Sequence, residues 1–148
     1  MVEKGDFDLA PYRETVKRML EEIGLNYDDC YIPDGDYWEL WKGSAKVYIS
    51  FFSLEHDDGE SEWYMDISSP VMKIPSSNLL AFYRRLLEEN GNRIALKFSI
   101  REDTVWCEVT RELEGVTFDE GLRNLVRVGE VADEVDDIFR GEFLPEEE

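Results

Sequence analysis

Basic side chains are scarce in this sequence. Sixteen lysines and arginines stand against 35 aspartates and glutamates, a net charge of −19 at pH 7 over 148 residues. A chain with that balance repels phosphate, which disfavours nucleic acid and anionic membrane surfaces as partners. It favours a basic or amphipathic protein or peptide, although strong acidity also serves solubility alone. Histidine occurs once, as His56. One histidine inside an acidic turn, with no nucleophile placed beside it, builds no catalytic triad. The two cysteines, Cys30 and Cys107, form no CxxC motif. Cys107 falls in an alternating apolar stretch, where a free thiol behaves as a small buried hydrophobe. No GxGxxG or GxxxxGK[ST] arrangement brings backbone amides onto a phosphate. No run of about 18 apolar residues is present, and no apolar signal segment opens the chain, so a cytoplasmic protein is expected.

Oxygen ligands are abundant, but their spacing is wrong for a metal. His56, Asp57, Asp58, Glu60 and Glu62 lack the ligand ladder and closing glutamate of an EF-hand, and Asp34 and Asp36 do no better. No metal, cofactor or catalytic residue is assigned, and the expectation is a protein that is not an enzyme. Hydrophobic residues make up 43% of the chain and aromatics 13%, which suits a packed globule. A chain of this length buries roughly 70% of its unfolded surface and needs no staple. One domain over residues 1–148 is expected, with a core of about 9–140. The arm 1–8 and the acidic tail 141–148 are expected to be loose.

The stretch Val71 to Ile100 organises the remainder. Pro75 disfavours helix in the residue before it, and Ser76 or Ser77 can accept a hydrogen bond from a first-turn amide. A helix then runs to about Asn90, where Asn-Gly supplies a left-handed cap. Its apolar residues Leu79, Leu80, Phe82, Tyr83, Leu86 and Leu87 span an arc of roughly 160°, more than one sheet contact requires. Leu80, Tyr83 and Leu87 on its flank are candidates for a homodimer contact, with a wholly intrachain contact as the alternative. Ile94, Leu96, Phe98 and Ile100 alternate with polar or small residues, as in a half-buried strand.

Elsewhere, Leu9, Tyr12, Val16, Met19, Leu20 and Ile23 follow helical spacing up to Gly24. Arg13, Lys17 and Arg18 take the other side, as a solvated face or a docking site. Residues Asn26 to Asp36 read as a loop. Strands are expected at Tyr37 to Lys42, Ala45 to Leu54 and Trp63 to Ser68, the first two joined by a Gly43-Ser44 turn and the third ended by Pro70. Glu102-Asp103 turns the chain into a strand from Thr104 to Thr110. Thr117 and Glu120 form a capping box for a closing helix ending near Gly141, with a stripe at Phe118, Leu122, Leu125, Val128, Ala132, Val135 and Phe139. The predicted order is α-β-β-β-α-β-β-α. It is an α+β fold with a mainly antiparallel five-stranded sheet and three helices.

Alternation assigns Trp38, Leu40, Val47, Ile49, Phe51, Trp63, Met65, Ile67, Ile94, Leu96, Phe98, Val105, Cys107 and Val109 to the inner face. It sends Tyr37, Trp41, Tyr48, Phe52, Tyr64 and Trp106 to the outer face, among Glu39, Lys46, Asp66, Lys97 and Glu108. Aromatics set among charges resemble a protein-binding surface, because tyrosine and tryptophan bury area while keeping a polar handle. Cover by the protein's own helix or a second subunit is the alternative, and aromatics also simply suit strands.

The helix PSSNLLAFYRRLLEEN, the strand RIALKFSI, the strand VWCEV and the closing helix opening TFDEGLRNLV resemble the YbjN-like family and, more distantly, the type III secretion chaperone fold. The likeness spans about residues 9–140 and rests on apolar positions with a few punctuating residues. It implies a regulatory or stress-related protein with no assigned catalytic residues. The chaperone likeness implies a small, acidic, commonly dimeric protein that binds extended segments of other proteins. A non-enzymatic protein-binding role is therefore expected. A small-molecule-sensing domain, with a pocket between helix and sheet, is the alternative.

Overall fold

The computed structural model describes residues 7–143. Helix α1 (Ala10–Glu22) is followed by a short helix α2 (Tyr27–Cys30) and a two-residue strand β1 (Tyr31–Ile32). Strands β2 (Tyr37–Lys42), β3 (Ala45–Glu55) and β4 (Ser61–Lys73) form a meander. Helix α3 (Leu79–Asn92), strands β5 (Lys97–Arg101) and β6 (Thr104–Glu112), and helix α4 (Phe118–Phe143) complete the chain. The six strands of the described residues lie in the order β1-β2-β3-β4-β6-β5, and neighbouring strands pair antiparallel. The α+β architecture is the expected one. It carries one more strand and one more helix among the described residues than the sequence suggested.

Both additions lie in the segment expected to be a loop. The Asn26 side chain accepts from the Asp29 amide at 3.1 Å and caps α2, as an Asn N-cap does. The chain then pairs Tyr31 with Trp38 before turning back. Asp36 closes that turn with φ 57°. Its carboxylate accepts from Arg13 at 3.0 and 2.9 Å and from the Tyr31 hydroxyl at 2.6 Å.

The helices stack on one face of the sheet. Helix α4 packs across β4, β3, β6 and β2, α1 leans on α4, and α3 covers β5. The inner-face assignment holds for Trp38, Leu40, Val47, Ile49, Met65, Ile67, Leu96, Phe98, Val105, Cys107 and Val109, all buried; Phe51 and Trp63 are partly buried against the same core. Phe98 and Phe82 both meet Phe139, and the Cys107 thiol points at the Val128 carbonyl, 3.7 Å away. The α4 stripe is buried from Leu125 through Phe139. Gly121 lets α1 approach closely: an added Cβ would stand 2.6 Å from Met19 Sδ. Phe7, within the arm expected to be loose, stacks on Tyr12 and Trp63.

Several local expectations are corrected. Pro70 does not end its strand. Pairing with β3 is already over at Tyr48–Ser68, and a register shift between Pro70 and Met72 accommodates the missing donor, so β4 continues to Lys73. Neither Ser76 nor Ser77 caps α3. Asn78 occupies the N-cap in the left-handed region at φ 60°, a conformation asparagine tolerates, with no side-chain cap. The helix passes through Gly91 to Asn92, and the Asn90 side chain bonds Phe98 of β5. Ile94 is not an inner-face residue. Ala95 adopts φ 68°, which breaks the alternation and leaves Ile94 86% exposed. The capping box is half formed: the Glu120 amide donates to Thr117 Oγ1 at 3.1 Å, whereas the Glu120 carboxylate accepts from Arg111. Helix α4 continues past Gly141 to Phe143, and the tail beyond it lies outside the described residues, as do residues 1–6 of the arm.

Candidate functional site

Alternation places Tyr37, Trp41, Tyr48, Phe52, Tyr64 and Trp106 on the sheet face opposite the helices. Among the described residues no helix lies across them, because α1, α3 and α4 are all committed to the other face. Trp41 is 62% exposed and the other five are half-buried. Their partial cover comes from one another. Tyr37 meets Tyr48 at 5.9 Å between ring centres, Tyr48 meets Trp106 at 5.7 Å, and Phe52 stacks on Tyr64 at 5.4 Å. Lys46 Nζ sits 5.8 Å from the Trp41 ring and 5.9 Å from Tyr48, with its charge tied to Glu39 at 2.8 Å. These are cation–π distances.

Polar groups fill the middle of this face. Ser50, Asp66 and Thr110 share one cross-strand row, and Tyr48, Ser68 and Glu108 the next. Asp66 and Glu108 are both buried, an unusual position for carboxylates. Arg101 reaches them from the end of β5. It hydrogen-bonds Glu108, stands 3.4 Å from Asp66, and lies over the Trp106 ring with Cζ 4.4 Å from its centre. Burial pushes the Asp66 carboxyl up from its ordinary value, against the hydrogen bond from Thr110 at 2.6 Å. Burial also acts on Glu108, but the neighbouring Ser99 hydroxyl, Arg101 and Lys97 prevail and hold it below its ordinary value. The pair thus shares charge unevenly, with Glu108 the more firmly ionised partner. Tyr37, Tyr48, Phe52, Ser68 and Trp106 line a shallow groove of about 320 Å³ beside it.

The second set of candidates, Leu80, Tyr83 and Leu87, lies together on the solvent side of α3. Leu80 is 86% and Leu87 70% exposed, and Tyr83 sits between them, also open. Phe82 and Leu86 take the buried side of the same helix.

Groups assigned no chemistry lie as follows. His56 Nε2 meets Glu62 at 2.9 Å in the β3–β4 turn, and no group of three or more metal-ligating side chains gathers among the described residues. Both cysteines are buried, and burial pushes the Cys107 thiol up to about 12 and the Cys30 thiol up as well. A thiol so shifted is a poor nucleophile. The space between α3, α4 and the sheet is filled by Phe82, Phe98 and Phe139. Among the described residues, no helix is long and apolar enough to cross a membrane. Sequence reasoning missed Arg101 as a member of the outer face; its place at the strand end, in step with Lys97 and Ser99, was the available signal.

A chain in the solved "Crystal Structure of the ExsC-ExsE Complex" superposes with a TM-score of 0.61 at 15% identity, covering 88% of this chain and 96% of that one. The likeness bears out the type III secretion chaperone-like architecture expected from the sequence. No curated protein matches the chain. The family described as "YbjN: Putative bacterial sensory transduction regulator" matches residues 12–140, nearly the whole of the described structure. The chain therefore belongs to the YbjN family.

Proposed function

We propose that this protein is a non-enzymatic, chaperone-like regulator, a single domain acting in the cytoplasm, that buries a segment of another protein on its outer sheet face. The observation that carries the reading is that face itself. Six aromatic residues lie on it with no helix of the described structure across them, surrounding buried carboxylates. Aromatics of this kind dominate the energetics of protein interfaces. The chain's net charge of −19 favours a partner with basic flanks and speeds its approach. The fold likeness to a chain solved in the ExsC-ExsE complex supports a protein or peptide as the occupant. Two free, buried thiols suit a reducing compartment. The test is capture of a co-purifying polypeptide by the wild-type protein and by Trp41→Ala and Trp106→Ala variants. Each variant is expected to weaken capture by about tenfold or more, the usual scale for a buried aromatic anchor. Unchanged capture by both would assign the partner to another surface.

A second copy of the chain is the occupant we propose for the exposed side of α3. Leu80, Tyr83 and Leu87 form one stripe, and the stripe is flanked by the Arg84–Glu88 pair at 3.0 Å. A two-fold axis across the stripe would set apolar residues against each other and let Arg84 of each copy meet Glu88 of the other. Such self-complementarity is what an isologous interface needs.

A further inference from the structure

The cluster of Arg101, Asp66, Glu108 and Trp106 has a composition that points beyond a general docking face. Asp66 and Glu108 project from β4 and β6, strands inside the sheet that are paired on both sides. Their cation does not come from a neighbouring central strand. Arg101 is the last residue of the edge strand β5, just before the turn in which Glu102 adopts φ 57°. Its side chain is 43% exposed, while the carboxylates beneath it are about one-tenth exposed. Lys97 reaches Glu108 only at 3.8 Å, from the rim. The acceptors are thus built in and the donor is laid on from outside.

The group seated here is a guanidinium. Its Cζ lies 4.4 Å from the centre of the Trp106 ring, and its Nη2 faces both carboxylates. A guanidinium is more weakly hydrated than an ammonium and stacks on aromatic faces, which suits it better to a partly buried seat over an indole ring. Without Arg101, Asp66 would face no cation and Glu108 only Lys97 at 3.8 Å, so both carboxylates would keep most of their desolvation penalty. Departure of Arg101 is therefore favoured when another cation takes its place. The groove between Tyr37, Tyr48 and Phe52 leads to the same spot.

We propose that Asp66, Glu108 and Trp106 form an arginine socket in which Arg101 is a placeholder, exchanged for an arginine of the docked partner segment. The inference rests on the outer face being the docking surface. It adds the partner's chemistry, an arginine among apolar residues, and a reason why segments lacking one are refused: they cannot release Arg101 without stranding the carboxylates.

The test needs no partner. N-acetyl-arginine amide is titrated into the wild-type protein, Arg101→Ala, and Arg101→Ala combined with Glu108→Gln. The readouts are melting temperature and the NMR shift of the Trp106 indole. Arg101→Ala is expected to bind the probe at least about tenfold more tightly than wild type, to melt higher in its presence, and to prefer it over the lysine analogue. The double variant is expected to lose the response. Equal responses of wild type and Arg101→Ala, an equal response to the lysine analogue, or a response that survives loss of Glu108 would each overturn the socket. If Arg101→Ala does not fold alone, Arg101→Met keeps the apolar stem over Trp106. Folding of either variant restored by the probe supports the proposal, and folding that the probe never restores overturns it. Because no partner is present, failure here leaves capture through Trp41, outside the socket, as a separate question.

Discussion

At the scale of single residues, Asp36 shows how a turn can be secured by one side chain. Its position at φ 57° is unfavourable for most residues and tolerable for aspartate. Hydrogen bonds from Arg13 and then Tyr31 hold its carboxyl below the usual carboxylate range. A carboxylate with a depressed folded-state value adds stability that is complete above its unfolded value and is lost as pH falls through the folded one. Half of the Asp36 side chain is exposed, so solvent screening keeps the contribution under about 1 kcal/mol. Asp36→Asn is expected to lower the melting temperature slightly at pH 7 and to show a smaller further loss on acidification than wild type. Melting curves from neutral pH down through the acid range check this; parallel wild-type and variant curves would remove Asp36 from the acid response. The sequence displayed Asp36 as turn chemistry. Its partner Arg13 lies 23 residues away on a helix, a pairing that spacing cannot reveal.

At the scale of elements, the free margin of the sheet is the vulnerable place. An edge strand offers unpaired amides and carbonyls to other chains. On β5, the Asn90 side chain answers both groups of Phe98, accepting from its amide at 2.6 Å and donating to its carbonyl at 3.2 Å. One carboxamide thereby imitates a neighbouring strand. Asn90→Ala is expected to cost about 1–2 kcal/mol, the net worth of two hydrogen bonds with one backbone pair left open. It is also expected to raise concentration-dependent light scattering after mild heating; an unaltered melting temperature would show the clamp to be dispensable. The same residue marks where sequence reading stopped. Asn90-Gly91 has the composition of a helix cap, and the period-two run from Ile94 looks like a strand. Asn90 instead spends its amide on β5, and Ala95 interrupts the strand, so Ile94 turns to solvent. The long strands and α4 were legible because their apolar periods run for many residues without interruption. Tyr31–Ile32 is too short to carry a period at all, and pairs only because Asp36 folds it back.

At the scale of the whole molecule, two surfaces compete for attention: the aromatic sheet face and the stripe on α3. They lie on opposite sides of the sheet, since α3 belongs to the helical layer, so a dimer through α3 leaves the outer face clear in each copy. Leu80→Glu with Leu87→Glu is expected to give a monomer at concentrations where wild type dimerises, with melting temperature within about 2 °C of wild type because both positions are exposed. Mass measured across a concentration series decides it; a wild-type chain that stays monomeric throughout would remove the dimer. The periodicity of the sheet strands exposed the two faces in the sequence, but the buried Asp66 and Glu108 looked like ordinary surface charge, because alternation reports direction and not cover. The two thiols bear on how the molecule comes apart. Cys30 sits where α2 joins β1 at one margin of the sheet, and Cys107 lies at the seam between β6 and α4. Neither reacts from the closed state, so the rate at which each is alkylated measures its own local opening. The protein carries two built-in clocks, and their order would tell whether the β1 margin or the β6–α4 seam lets go first.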